Sequence, residues 1–423
     1  MNAAKTLREI SCADDYDPNS MPVAKAREFI RAFLKPVTGT ERVAIRAGLG
    51  RILAAEVISP LDVPSHDNSA MDGYALRFAD LTAGGETRLK VAGTAFAGKP
   101  FCGSIGPGEC VRIMTGAVIP AGADTVVMQE HVSSENGSVR IGAGHRQGQN
   151  LRRAGEDLRR GQAVLPAGKV LRPAELGLLA SLGIGEVTVC RRLRVAFFST
   201  GDELVSIGSV PEEGQIFDSN RYTLHGMLTR LGCEVIDMGV VRDDPALLEQ
   251  AFREAAGMAD VVITSGGVSV GEADFIKDLL DRLGEVLFWK IAMKPGRPLA
   301  YGRILGAHFF GLPGNPVSVM VTFYQFVQEA LRVLQGETGV TPPPAFKAVC
   351  TSTLKKAPGR TEFQRGVLSR DASGRLAVAV TGDQGSGILR SMSEANCFIV
   401  LPTEQGNVEP GTEVDVQWLE GMV

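Results

Sequence analysis

The stretch 261-VVITSGGVSVGEADFIKDLLDRLGEVLFWKI-291 decides the fold. It opens with an apolar β-branched run, 261-VVITS-265, of a length and composition that suit a strand covered on both faces. A Ser/Gly turn follows, then a helix near Ala273 to Leu283 that Gly284 stops, then the strand 286-VLFWKI-291. The same grammar extends to either side. Before it stand the strand 193-LRVAFFS-199, a helix that Asn220 can cap and Gly232 can end, the strand 234-EVIDMGVV-241 and a helix begun by Pro245. After it comes the strand 307-AHFF-310, leading into a long helix beyond Pro316. Strands alternating with helices imply a central three-layer α/β/α domain with a mostly parallel sheet. In such a sheet the loops leaving the strand C-termini line the binding crevice.

The flanks read differently. Met21 to Lys35 is an amphipathic helix stopped by Pro36, and Pro173 begins another that ends at Gly183. Between them, 89-LKVAG-93, 110-CVRIMTG-116 and 125-TVVMQE-130 are short extended runs broken by Gly and Pro, as in a small inserted β domain. The stiff 341-TPPPA-345 marks a boundary, and the β runs 346-FKAVC-350, 375-RLAVAVT-381, 397-CFIVLP-402 and 412-TEVDVQW-418 suit a C-terminal barrel or sandwich. The expected class is therefore multidomain α/β and β. Its units are an N-terminal helical and linking region (21–59 with 158–190), an inserted β domain (60–157), the α/β domain (191–338) and a C-terminal barrel-like β domain (339–423). A chain of 423 residues is long enough for three or four such units.

Composition excludes several classes. Lys and Arg total 44 against 48 for Asp and Glu, so long-range attraction to a polyanion is weak and nucleic acid is not expected. No apolar run approaches the ~20 residues needed to cross a bilayer, and the N-terminus has no secretory core, so a cytoplasmic protein is expected. Seven scattered cysteines without a metal-type pair suit a reducing compartment. The five histidines share no ligand spacing, which argues against zinc catalysis.

The polar motifs fall where strands end. In 198-FSTGDEL-204, Thr200 and Gly201 offer a hydroxyl and an amide to an anion, while Asp202 and Glu203 can hold a cation or meet a heterocycle edge; Asp202 could equally cap a helix. In 264-TSGGVSVGEAD-274, Ser265, Gly266, Gly267, Ser269 and Gly271 can turn successive amides toward a phosphate, though the loop is neither a Walker loop nor a dinucleotide fingerprint. Of Asp243 and Asp244, one can cap the following helix and the other face the crevice, where with Asp274 it would suit Mg²⁺. Lys290, Lys294 and Arg297 form a basic cluster suited to an oxyanion. In 311-GLPGNPVS-318, prolines stiffen a loop that either presents Asn315 and Ser318 to polar ligand edges or serves as a structural turn alone. The stretch 67-DNSAMDGYA-75 reads first as surface turn chemistry, its spacing assigning no catalytic role, and 152-RRAGEDLRRG-161 reads equally as an anion contact or a solvated charge cluster.

Taken in order, these stretches, with 112-RIMTGAVIP-120, 215-QIFDSNR-221, 293-MKPGRPLA-300 and 361-TEFQRG-366, resemble the MoeA-type molybdopterin molybdenumtransferase family, to which the C-terminal part of gephyrin is also similar. The resemblance runs from about Pro22 to Leu419. It implies an elongated four-domain protomer in a homodimer, with the cleft between the α/β domain of one subunit and the inserted β domain of the other. It implies a reaction in which adenylyl-molybdopterin and molybdate give molybdenum cofactor and AMP, with Mg²⁺. It assigns catalytic positions to Asp72, Thr115, Asp157, Glu203, Lys290 and Lys294, and metal ligation to Asp243 and Asp274. Cofactor binding falls to Thr200, Gly201, Asp202, Ser265, Gly266, Gly267, Ser269, Gly271, Arg297, Pro313, Gly314, Asn315, Pro316 and Ser386. Expected partners are the adenylyltransferase that makes the substrate and the maturation factors of molybdoenzymes. A noncatalytic pterin-binding scaffold is the alternative; it is disfavoured because no adenylyltransferase domain or long linker accompanies these motifs.

Overall fold

The computed structural model describes residues 20–267 and 274–419. At its centre six strands lie in the order β2-β1-β3-β6-β5-β4, where β1 is Arg194–Thr200, β2 Glu234–Val241, β3 Val261–Ser265, β4 Gly284–Lys290, β5 Pro298–Ile304 and β6 Ala307–Leu312. Pairs β1/β2, β1/β3 and β3/β6 are parallel, while β5 runs against both β6 and β4. The sheet is thus mostly parallel, as the alternation of strands and helices requires. The reversed β5 is absent from the sequence reading. It reaches β6 through a two-residue turn in which Leu305 (φ 47°) and Gly306 (φ 96°) both lie in the left-handed region, the geometry of a tight hairpin.

The helices among the described residues include α1 Val23–Ala32, α2 Pro173–Ser181, α3 Ser219–Arg230, α4 Pro245–Met258, α5 Asp274–Leu283 and α6 Pro316–Thr322. Successive residues of a strand face opposite sides, and β1 uses both. Val195 and Phe197 pack with α1, α3 and α6, whereas Ala196 and Phe198 pack with α4 and α5. Each fully buried phenylalanine contributes roughly 1.5–3 kcal/mol of apolar burial. Sequence spacing foretells the apolar stripe of α1 but not its partner. Instead of belonging to the linking region alone, α1 lies on the central layer: Phe29 meets the Trp289 ring edge-on at 5.1 Å, and Arg27 donates to the Gln325 carbonyl at 2.8 Å.

Outside the central layer, Thr40–Ala44 pairs with Glu186–Cys190, and Val57–Ile58 with Ala163–Leu165, so the chain on either side of the insertion meets around Leu53, Leu165, Leu179 and Val189. The insertion holds a six-stranded sheet whose central strands are Thr87–Ala95 and Glu109–Ile113. At the C-terminus, Thr361–Arg370, Leu376–Val380, Phe346–Cys350, Glu413–Trp418 and Cys397–Leu401 pair in sequence, and the last returns to the first. That closes a five-stranded barrel. The short strand Met293–Lys294 pairs with Thr361–Glu362 and ties the barrel to the central domain. No helix among the described residues is long and apolar enough to cross a membrane.

Candidate active site

The parallel strands end on one edge of the sheet, and there the chain leaves a cavity of about 1010 Å³. Its walls come from the loops after β1, β2, β3 and β6, the start of α3, and Gly387 and Leu389 of the barrel. Thr200, Gly201, Asp202, Glu203, Asp243, Ser265, Gly266, Gly267, Pro313, Gly314, Asn315 and Pro316 all line it. The division of labour between the paired aspartates is resolved. Asp244 accepts from the Ala246 and Leu247 amides, each at 3.0 Å, capping α4, which leaves Asp243 facing the cavity. The Thr200 hydroxyl donates to Asp243, and the Asp243 amide donates weakly to Asp202 at 3.4 Å. Asp202 caps no helix, because the chain turns there into the short strand Leu204–Val205.

Asn220 does not cap α3. Asp218 does, accepting from the Arg221 amide at 3.1 Å, and Asn220 is thereby freed inside the first turn. Its buried amide donates to the Ser265 hydroxyl at 2.7 Å and the Gly314 carbonyl at 2.6 Å, tying the loop of β3 to that of β6. Sequence reading missed this tie. Gly266 shows why the loop needs glycine: its φ is 93°, and a Cβ there would stand 2.4 Å from the Thr200 carbonyl oxygen. Gly266→Ala should therefore cost about 1–3 kcal/mol in stability and weaken AMP binding; an unchanged melting temperature together with unchanged AMP affinity by calorimetry would refute the close approach.

The barrel completes one wall. Ser386 accepts at its hydroxyl from Asn315 at 3.1 Å, and its carbonyl takes the Val317 amide at 3.1 Å. Behind it, Arg365 is only 1% exposed and holds the loop by donating to the Gly385 carbonyl and the Ser391 hydroxyl, each at 3.0 Å. Burial draws its pKa down to about 10, so it stays cationic at neutral pH. Arg365 lies within the 361–366 motif but was not singled out by sequence. Among the described residues the charged donors on the cavity are carboxylates, with no His or Cys, which suits a hard cation such as Mg²⁺. No three described acidic, His or Cys side chains gather as a closed metal cage, so such an ion would need phosphate oxygens and water as further ligands.

Three family profiles match the chain in order: "MoeA N-terminal region (domain I and II)" over 21–183, "Probable molybdopterin binding domain" over 196–333 and "MoeA C-terminal region (domain IV)" over 347–419. A molybdopterin molybdenumtransferase of Haemophilus influenzae is 50% identical over 381 residues, spanning 90% of this chain and 94% of that protein. The chain belongs to the MoeA family. A second MoeA-family relative, the molybdopterin molybdenumtransferase of Nostoc, is 38% identical over 382 residues, 89% of this chain and 88% of that protein. The molybdopterin biosynthesis moeA protein of Pyrococcus horikoshii OT3 superposes with a TM-score of 0.82 at 30% identity, over 94% of this chain and all of that one.

Within this MoeA chain the remaining expected residues fall into three groups. Lys290 ends β4 opposite Pro298, which lines the cavity, whereas Lys290, Lys294 and Arg297 do not themselves line it. Asp72 and Thr115 meet in the insertion: the Thr115 hydroxyl and amide both donate to one Asp72 oxygen at 2.7 Å, holding that carboxyl below its ordinary range. Asp157 lies exposed in the same insertion, and none of these three lines the cavity of its own chain. Ser269 and Gly271 lie outside the described residues, as does the side chain of Asp274, whose backbone opens α5.

Proposed function

We propose that this MoeA-family chain is a molybdopterin molybdenumtransferase, converting adenylyl-molybdopterin and molybdate to molybdenum cofactor with release of AMP. The observation that carries the reading is the cavity at the strand C-termini, where Gly266 and Gly267 converge with the carboxylates of Asp202, Glu203 and Asp243 in a chain 50% identical to an enzyme of that name. On this reading amides of the glycine loop beyond Gly266, whose own N–H donates to the Leu312 carbonyl at 3.1 Å, would meet a phosphate, and Asn220 keeps the loops of β3 and β6 in register around it. Asp243, with phosphate oxygens and water as further ligands, would hold Mg²⁺, which when bound offsets the charge that accumulates on phosphate oxygens. Lys290, Lys294 and Arg297 add fixed positive charge near the departing AMP. The dithiolene sulfurs ligate the metal themselves, so the chain positions and polarises rather than attacks.

Asp72, Thr115 and Asp157 enter this reading through a homodimer. The insertion of one subunit would cover the cavity of the other, where Asp72 and Asp157 orient molybdate. Thr115 supports that task by fixing the Asp72 carboxylate with two hydrogen bonds. Because a bare carboxylate repels an oxyanion, a cation or proton must stand between them. We place the reaction in the cytoplasm, downstream of the adenylyltransferase and upstream of molybdoenzyme maturation factors; the free cysteines suit a reducing compartment. The test is reconstitution with purified protein, adenylyl-molybdopterin, molybdate and Mg²⁺. AMP should appear in step with active cofactor, and pterin binding without AMP release would leave only a scaffold.

A further inference from the structure

We propose that Glu362, on the first strand of the barrel, is the positioning residue that sets the ammonium of Lys294 beside the cavity. The inference rests on the reading of Lys294 as a residue of the transfer reaction. Its basis is a register. The strand Met293–Lys294 runs parallel to Thr361–Glu362 with Lys294 directly paired to Glu362, and paired residues of neighbouring strands project to the same face. Lys294 Nζ accordingly lies 3.5 Å from Glu362 Oε1. The two ends of this pair differ in environment: the Lys294 side chain is 49% exposed and that of Glu362 only 6%.

A carboxylate that far from water must be held by other donors, and Glu362 is. Its second oxygen accepts from the Gln364 amide at 3.0 Å, and the same Gln364 nitrogen donates to the Lys355 carbonyl at 3.0 Å. Gln364 is two residues along the strand and so on the same face, itself 5% exposed. Nearby, the buried Lys356 ammonium is occupied by the carbonyls of Ala357, Thr403 and Gln405 at 3.2, 3.4 and 2.9 Å. Glu362 is therefore fixed from below, with Lys356 committed to backbone oxygens, and its outward oxygen is left for Lys294. A flexible lysine stem tethered at its tip loses the freedom to swing into solvent, while its remaining N–H donors stay available to an anion. Lys294 lies four residues before Pro298, which lines the cavity.

The experiment uses the full-length protein in the AMP-release assay, comparing wild type, Lys294→Met, Glu362→Gln and the double variant, with melting temperatures alongside. Glu362→Gln should lower kcat by ~10- to 100-fold, the loss expected when a catalytic group is misplaced by about 1 Å, with KM for adenylyl-molybdopterin much less changed. The double variant should be no slower than Lys294→Met alone, because both substitutions remove the same interaction. If Glu362→Gln fails to fold for want of a negative charge near Lys356, Glu362→Asp keeps the charge but draws it back from Lys294 by one carbon; a stable protein with intermediate kcat is then expected. Wild-type kcat in a folded Glu362→Gln variant, or losses that multiply in the double variant, would overturn the inference while leaving Lys294 in the reaction. Full turnover by Lys294→Met would overturn the role of the lysine itself, and this inference with it.

Discussion

Asp243→Ala is expected to lower AMP release by ~10²–10³-fold while leaving the melting temperature close to that of the wild type. The size follows from removing a preorganised charge from a site where phosphate charge develops. The small effect on stability follows from placement: Asp243 is exposed on the cavity, and the helix beside it is capped by its neighbour. Asp244→Ala should behave in the opposite sense, losing about 0.5–2 kcal/mol of stability through the lost cap while keeping most turnover. Initial rates and thermal melts on the two variants separate the roles. An Asp243→Ala enzyme of normal rate would remove the carboxylate from the mechanism.

The second large effect is a recovery. Asp72→Ala and Asp243→Ala should each be nearly inactive as purified homodimers. After subunit exchange at equal concentrations, activity should rise to about a quarter of wild type, since half the dimers are mixed and each mixed dimer carries one intact site of two. Asp72 and Thr115 are locked together in the insertion, whereas the cavity is walled by the α/β domain and barrel. If both Asp72 and Asp243 served one chain's site, every site in a mixed dimer would lack one of them, and mixing would restore nothing.

Much of the architecture is legible in the sequence because the strands of the central domain are apolar runs closed by Gly or by capping residues. Where it was not legible, identifiable physics intervened. Strand β5 begins at a proline and carries Gly302, and its turn to β6 uses Leu305 at positive φ instead of the usual Asn-Gly pair. In 217-FDSNR-221 three consecutive residues are good caps, and the choice of Asp218 over Asn220 is settled by Ser265 and Gly314, which are distant in sequence. The strand Thr361–Arg370 buries Glu362 and Gln364 on one face and Arg365 on the other, so both faces mix polar with apolar groups and the strand escapes any reading based on alternating hydrophobicity. For the site, the residues at strand ends converge as the parallel topology demands. The basic cluster does not reach the cavity surface, and its relation to the barrel depends on a two-residue strand pairing that no periodicity reveals.

The most direct measurement is a crystal structure with AMP and Mg²⁺. The phosphate is expected within hydrogen-bonding distance of the amides following Gly266, with the metal on Asp243. A phosphate bound elsewhere, with Asp243 and the Ser265 loop unengaged, would contradict the proposed mechanism.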